Sequence, residues 1–220
     1  MAHKKIARLR GIYAIVDPSG RPGFDPVALS EAAIRAGVAV LQLRAKDLSA
    51  RELVQQAKAM AGRCREAGVI FIVNDRLDAA LAAGADGVHL GQDDLPLDAA
   101  RRVAGKDFLI GISTHSVAEA AAAEQAGADY IGFGAMYSTA SKKDVTPPQG
   151  PGLLAEVVRA VSIPAIAIGG IALDKLAEVH AAGAKGAAVI GAWTLAADPE
   201  TALRGLVERW RKLDKRNNRL

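Results

Sequence analysis

The chain has 220 residues, a formal net charge of +4 and an apolar fraction of 50%, with aromatic residues at only 4%. This apolar content supplies a sizeable core for one domain, and the scarcity of aromatic rings argues against a stacking surface for single-stranded nucleic acid. The single cysteine, Cys64, excludes an intramolecular disulfide and a cysteine metal cluster. We expect a soluble, cytoplasmic protein, because no signal peptide opens the chain and no apolar run is long enough to span a bilayer.

Basic residues are concentrated at the two ends of the chain, in residues 1–8 and about 212–220. Solvated, frayed termini are the ordinary interpretation of such runs, and a polyanion-binding tail is the alternative. We therefore expect neither a nucleic-acid nor a membrane partner, and we leave open a homodimer.

Eight short apolar runs, each typical of a buried strand, follow one another along the chain. They are GIYAIVD (11–17), VAVLQLR (38–44), VIFIVND (69–75), DGVHLG (86–91), DFLIGIS (107–113), DYIGFGA (129–135), PAIAIGG (164–170) and GAAVIGA (186–192). Ala-rich segments with helical spacing lie between them, and several end in a glycine that can stop a helix in the left-handed conformation. Eight such units favour a closed (β/α)8 TIM barrel, an α/β fold, over an open doubly wound sheet. No linker divides the chain, so we predict a single domain over residues 1–220.

Polar residues come at the carboxyl ends of the predicted strands, where the active site of a (β/α)8 barrel forms. In the second strand Leu41 and Leu43 alternate with Gln42 and Arg44, and Lys46 follows. Successive side chains of a strand face opposite sides, so the leucines should pack on helices and the polar set should point into the barrel mouth. Unpaired cations there would be costly, which suggests an anionic ligand.

Acidic residues follow the next two strands. The third strand ends in Asn74 and Asp75, and Asp93 and Asp94 come just after the fourth. Carboxylates beside cations predict a Mg²⁺ site at Asp75 and Asp94 that bridges to phosphate, because Mg²⁺ takes one or two carboxylates plus phosphate oxygens and waters. The alternative is helix capping, with Asp75 as an N-cap and Asp94 in the first turn of the next helix. Asp93 is predicted to be the surface residue of its pair.

A second anion site is predicted after the last strands. Residues 168–170 (IGG) and 189–192 (VIGA) place backbone amides at the usual phosphate position of this barrel class. The loop after the sixth strand adds Thr139, Ser141 and Lys142, which are all able to bind phosphate oxygens. The prolines and glycines of this loop predict a long ordered flap.

Other chemistries find less support. No Gly-x-Gly-x-x-Gly follows a strand, so we expect no nicotinamide cofactor. His89, in the fourth strand, is interpreted as a packed, hydrogen-bonded histidine, whereas His115 either lines the site or helps a helix to begin. A Schiff base at Lys46 or Lys142 is disfavoured, because each lysine has polar company and such a lysine needs its pKa lowered.

Six motifs, in order and each at a strand end, resemble those of the thiamine-phosphate synthase (thiamine-phosphate pyrophosphorylase) family. They are QLRAK (42–46), VND (73–75), HLGQDD (89–94), GIS (111–113), GAMYSTASKKD (134–144) and IGG (168–170). The resemblance implies a Mg²⁺-dependent transferase that joins 4-amino-5-hydroxymethyl-2-methylpyrimidine diphosphate to 4-methyl-5-(2-hydroxyethyl)thiazole phosphate. Thiamine phosphate and pyrophosphate would form by a dissociative displacement.

The resemblance also implies a role for each matched residue. The pyrimidine substrate and its diphosphate would be held by Gln42, Arg44, Lys46, Asn74, Ser113 and Lys142. Mg²⁺ would be held by Asp75 and Asp94, and the thiazole phosphate by Thr139, Ser141, Gly170, Ile190 and Gly191. Arg44, Lys46, Ser113 and Lys142 would be the catalytic residues, with the three cations stabilising the charge that builds on the leaving diphosphate.

Three positions depart from the family pattern. Ala45 stands where the family has an acid, and Ala135 and Ser138 stand where it has prolines. The loss of both prolines predicts a less rigid flap and weaker affinity. Two alternatives stay open: a thiazole tautomerase-like paralogue, which keeps a histidine where this chain has Ala135, and a non-catalytic regulatory barrel that binds phosphate ligands.

Overall fold

The computed structural model describes residues 5–20, 23, 25–138 and 147–217. Eight parallel strands close into one barrel in chain order, which confirms the predicted (β/α)8 fold and excludes the open sheet. The strands are β1 (Gly11–Val16), β2 (Val40–Leu43), β3 (Ile70–Asn74), β4 (Gly87–Leu90), β5 (Leu109–Thr114), β6 (Tyr130–Phe133), β7 (Ala165–Ile168) and β8 (Gly186–Val189). The α-helices described in full are α1 (Pro26–Ala36), α2 (Ala50–Ala67), α3 (Leu77–Ala83), α4 (Leu97–Ala104), α5 (Val117–Gln125), α6 (Gly150–Ala160), α7 (Leu176–Ala181), α8 (Gly191–Thr194) and α9 (Pro199–Asn217).

Local capping chemistry sets where several helices begin and end. Ser49 and Glu52 form a reciprocal capping box at the start of α2, which satisfies backbone N–H groups that the helix itself leaves unpaired. Gly37 and Gly68 follow α1 and α2 with φ of 86° and 70°. The left-handed conformation costs glycine little, so these residues confirm the predicted glycine stops.

Two hydrophobic clusters divide the core at the barrel wall. The inner cluster is formed by Leu9, Tyr13, Ile15, Val40, Ile70, Ile72, Leu109, Tyr130, Ile166 and Ala188. The outer, larger cluster lies between the strands and the helices and includes Leu41 and Leu43. The second strand therefore alternates as predicted, with its leucines outside and Val40 and Gln42 inside the barrel.

Aspartates at the amino ends of two strands connect neighbouring strands. Asp86 and Asp129 each end a Gly-Ala-Asp phrase just before β4 and β6. Their carboxylates accept hydrogen bonds from the backbone N–H groups of Phe71 (2.9 Å) and Ile110 (2.8 Å), in the preceding strands. Arg101 also donates to Asp129 at 2.7 Å. The repeated Gly-Ala-Asp phrase thus supplies carboxylates that join neighbouring strands at the amino-terminal end of the barrel.

The described ends of the chain are tied to the barrel. Helix α9 continues to Asn217, within the segment expected to fray, and Lys5 pairs with Asp86 at 2.6 Å. No helix in the described part of the chain is long and apolar enough to cross a membrane. Fraying beyond these residues, a homodimer and a cytoplasmic location stay predictions.

Candidate active site

A cavity opens at the carboxyl ends of the strands, at the barrel end where the sequence places the site. The structure brings many of the predicted residues to its lining, namely Gln42, Arg44, Lys46, Asn74, Asp75, Asp94, Ser113 and Ile190. Gly170 and Gly191 lie two residues past the ends of β7 and β8, at the same end of the barrel and outside this lining. Thr139, Ser141 and Lys142 lie outside the described residues.

Arg44 is held by a buried acid that the sequence reasoning missed. Strand β2 ends at Leu43, and the Arg44 side chain forms an ion pair with Asp17, whose side chain is only 5% exposed. Ser19 donates to the other Asp17 oxygen from its backbone N–H (3.1 Å) and its hydroxyl (2.5 Å). A signal was available, because Asp17 closes the first apolar run just as Asp75 closes the third. Asp17 fixes the position of the guanidinium at the mouth.

Lys46 and two carboxylates form the most polar corner of the cavity. Lys46 Nζ lies 3.2 Å from Asp75 Oδ2, and the lysine side chain is 56% exposed. Burial raises the pKa of Asp75, the neighbouring Asp94 carboxyl raises it further, and Lys46 opposes both effects. Among the described residues, Lys46 forms the ion pair with this pair of carboxyl groups, through Asp75. The exposure and ion pair of Lys46 also keep a Schiff-base role disfavoured.

The backbone around these carboxylates excludes the capping alternative. Arg76 and Pro96 occupy the N-cap positions of α3 and α4, and neither helix has a side-chain cap. Asp94 instead accepts from the Gly91 N–H at 2.7 Å. Asp75 has a φ of 62°, a left-handed conformation that costs a non-glycine residue on the order of 1 kcal/mol. Strained residues cluster at functional sites, and the strain here aims a carboxylate at the mouth rather than at a helix end.

The floor of the cavity is a buried polar layer inside the barrel. Gln42 is only 3% exposed and donates to the Tyr13 hydroxyl at 2.8 Å. His89 hydrogen-bonds to Tyr130 and to Ser113, which confirms that it is a packed, hydrogen-bonded histidine, and it also lines the cavity. Sequence reasoning missed both tyrosines, because an aromatic residue within an apolar strand carries no sign of where its hydroxyl points.

His115 takes the helix-entry role. Its backbone N–H and its Nδ1 both lie within hydrogen-bond distance of Glu119 Oε2, at 2.8 and 3.1 Å. Ser116 is the N-cap of α5. The histidine thus belongs to the start of this helix and does not line the cavity.

The start of the sixth loop packs against the turn that follows β7. The Met136 and Tyr137 N–H groups donate to the carbonyls of Ile168 (2.9 Å) and Gly169 (3.0 Å). Gly170 has a φ of 65°, and a Cβ there would lie 2.5 Å from a Ser138 backbone oxygen, so the close approach requires glycine.

Ala45, the departure from the family's acid, packs against the outer hydrophobic cluster. It lies away from the mouth, as the alternation of residues predicts. An apolar residue at this position is therefore compatible with an intact site.

The fold and the site define a (β/α)8-barrel protein whose mouth combines cations with paired carboxylates. A family model described as thiamine monophosphate synthase matches residues 12–193. The chain belongs to this family, which confirms the resemblance read from the motifs.

Individual relatives agree with the family assignment. The thiamine-phosphate synthase of Methanospirillum hungatei is 47% identical over 194 residues, which cover 88% of this chain and 94% of the relative. That of Chlorobium limicola is 50% identical over 183 residues, which cover 83% and 87%. The structure of thiamine phosphate pyrophosphorylase from Pyrococcus furiosus superposes with a TM-score of 0.85 at 35% identity, covering 95% of this chain and 97% of that one. These relatives confirm the predicted enzyme class and favour it over the tautomerase-like and regulatory alternatives.

Proposed function

We propose that this chain condenses the pyrimidine diphosphate with the thiazole phosphate in the barrel mouth, giving thiamine phosphate and pyrophosphate. One observation carries the proposal: the structure gathers Arg44, Lys46, Asp75 and Asp94 around a single cavity. Cations suit a leaving diphosphate, and paired carboxylates suit a divalent ion that accompanies it. Similarity to proteins named thiamine-phosphate synthase supports the same conclusion.

The two cations of the mouth have complementary properties for binding diphosphate. Arg44 is oriented by the buried Asp17, so little side-chain entropy is lost when a phosphate binds it. Lys46 is more exposed and can turn from Asp75 toward a phosphate oxygen. Lys142 would add a third cation, and this assignment rests on the family resemblance alone.

Asp75 and Asp94 fit a Mg²⁺ ion by their chemistry. Both offer hard oxygen ligands, and a bound divalent cation would offset the burial and the Asp94 carboxyl that raise the pKa of Asp75. The described residues hold no group of three or more His, Cys, Asp or Glu side chains that could bind a metal, so waters and diphosphate oxygens would complete the coordination. When bound, the ion would neutralise charge on the diphosphate.

The reaction exchanges one bond for another at the pyrimidine methylene carbon. The carbon–oxygen bond to diphosphate breaks, and the electron-rich aminopyrimidine supports the cationic methylene that results. The thiazole nitrogen then attacks this carbon, so no strong base is required. Arg44 and Lys46 stabilise the departing diphosphate, and binding both substrates in one mouth supplies proximity.

The thiazole phosphate would occupy the side of the mouth formed by β7 and β8. Ile190 lines the cavity there, and Gly170 and Gly191 supply backbone amides at the adjoining turns. Thr139 and Ser141 are assigned to the same phosphate by the family resemblance.

Mixing the purified protein with both substrates tests the proposal. We expect pyrophosphate release that needs Mg²⁺ and both substrates, and that stops when the thiazole phosphate is omitted. Asp94→Asn should remove most of this activity, whereas Asp98→Asn, an exposed carboxylate on α4 paired with Arg102, should leave it unchanged. No release from the wild type would contradict the synthase assignment and leave the regulatory, phosphate-binding barrel.

A further inference from the structure

A continuous chain of hydrogen bonds crosses the cavity floor between five different strands. Gln42 Nε2 donates to Tyr13 Oη at 2.8 Å, and Tyr13 Oη lies 3.1 Å from Tyr130 Oη. Tyr130 Oη lies 3.1 Å from His89 Nδ1, and His89 Nε2 lies 3.0 Å from Ser113 Oγ. Gln42 and Ser113, the two ends of this relay, are residues assigned to the pyrimidine.

Two glycines within strands make the space that the relay occupies. A Cβ at Gly111 would lie 2.1 Å from the Tyr130 ring, and a Cβ at Gly132 would lie 3.0 Å from the His89 ring. Such distances exclude a larger residue unless the rings move. The backbone is therefore shaped to seat these two rings where they meet.

The direction of the relay follows from counting protons. Tyr13 accepts from the Gln42 amide. Either tyrosine could donate in the contact between their hydroxyls, but only donation from Tyr13 to Tyr130 gives both buried hydroxyl protons an acceptor, because the Tyr130 proton then goes to His89 Nδ1. Burial raises the pKa of both tyrosines, so both keep their protons. With Nδ1 accepting, a neutral His89 carries its proton on Nε2 and donates to Ser113 Oγ. The Ser113 hydroxyl proton is then left to donate into the cavity.

We propose that Tyr13, Tyr130 and His89 are positioning residues that fix Ser113 as a hydrogen-bond donor toward the ligand ring. An aminopyrimidine ring nitrogen carries a lone pair and accepts such a bond. We place Ser113 against N3, the ring nitrogen beside C4: in the corresponding 4-oxo ring this nitrogen carries the proton and meets Ser113 donor to donor, whereas N1 keeps its lone pair in both rings. The relay thus selects the amino form of the ring. This inference rests on the proposed function for the identity of the ligand, and it concerns residues other than those assigned to the diphosphate and the metal.

Nitrogen-15 NMR of the imidazole in the ligand-free protein tests the relay without any turnover. We expect the Nε2–H tautomer at His89 in the wild type, and a mixture or the Nδ1–H tautomer in Tyr130→Phe. Gln42→Glu provides a second variant, because a carboxylate only accepts and should reverse the whole chain to Nδ1–H. An Nδ1–H or doubly protonated ring in the wild type would overturn the proposal.

The affinities of the 4-amino and 4-oxo pyrimidine diphosphates test the predicted preference for the amino form. By calorimetry without the thiazole substrate, the wild type should prefer the 4-amino over the 4-oxo compound. Tyr130→Phe should reduce that preference at least about tenfold, since a site built around a hydrogen bond discriminates strongly against a ligand that cannot make it.

Thr114→Val is the matched control for the loss of a buried hydroxyl. Thr114 is 1% exposed and bonds to the Gly132 carbonyl outside the relay. The variant should keep both the wild-type preference and the His89 spectrum. An unchanged preference in Tyr130→Phe would overturn the inference, whereas weak binding of both compounds with the expected tautomer would count against the proposed function alone.

Discussion

Asp129, at the amino ends of the strands, and Asp75, at their carboxyl ends, have opposite surroundings. At the amino ends of the strands, Asp129 Oδ2 accepts a backbone N–H and an arginine N–H, so this carboxylate is paired within the fold. At the carboxyl ends, Asp75 lies beside Asp94, and its nearest described cation, Lys46, is largely exposed. We therefore assign Asp129 to the architecture of the barrel, and we propose that Asp75 and Asp94 are kept for a ligand.

Asp129→Ala should have the largest effect, and it should act on the fold. The variant leaves the Ile110 N–H and the Arg101 guanidinium without their acceptor, which we expect to cost about 3 kcal/mol of unfolding free energy. Chemical denaturation measures this loss. The folded fraction should keep the wild-type kcat, and a selective loss of kcat with full stability would break the distinction between the two ends.

Lys46→Ala, at the mouth, should do the opposite of Asp129→Ala: it should lower activity and leave stability nearly unchanged. An exposed lysine in an ion pair contributes at most about 1 kcal/mol to stability, but removing a cation from the leaving diphosphate should lower kcat/KM about 100-fold. Steady-state kinetics and denaturation on one preparation give both values. A matched exposed cation, Arg102→Ala on α4, should change neither by much.

Asp17→Asn tests a third arrangement, because Asp17 lies at the mouth but its carboxylate is paired within the chain, as that of Asp129 is. The amide still accepts a hydrogen bond but no longer holds Arg44 by charge. We expect KM for the pyrimidine diphosphate to rise about tenfold with a smaller change in kcat. Asp25→Asn is the control, because asparagine caps α1 as well as aspartate does. A wild-type KM in Asp17→Asn would show that Arg44 needs no charged anchor.

Asp75→Asn should give the smallest effect on stability, and its sign is informative. The raised pKa of Asp75 means that the folded state holds this proton more tightly than the unfolded chain does. Ionised Asp75 therefore destabilises the fold as the pH rises above the ordinary aspartate value. The metal-free variant should be more stable than the wild type at neutral pH, by no more than about 1 kcal/mol, and equal to it in acid. A less stable variant at neutral pH would make Asp75 a structural residue.

Much of this organisation is readable from the sequence because it depends on local pattern. The alternation of Leu41 to Arg44 gives the orientation of the second strand, and the repeated glycines give the helix stops. The family motifs bring Asp75, Asp94 and Ser113 to one cavity. Pairings between distant segments leave no such trace. Arg44 with Asp17, and His89 with Tyr130, depend on the barrel's closure, and a tyrosine in an apolar run shows nothing of its hydroxyl's partner.

Calorimetric titration with inorganic pyrophosphate and Mg²⁺ tests the central claim most directly, because it asks whether the mouth carboxylates and cations are kept for a diphosphate. We expect Mg²⁺-dependent binding to the wild type that is abolished by Asp75→Asn, weakened by Lys46→Ala and retained in the folded fraction of Asp129→Ala. Binding that survives Asp75→Asn at full affinity, or no binding to the wild type, would contradict it.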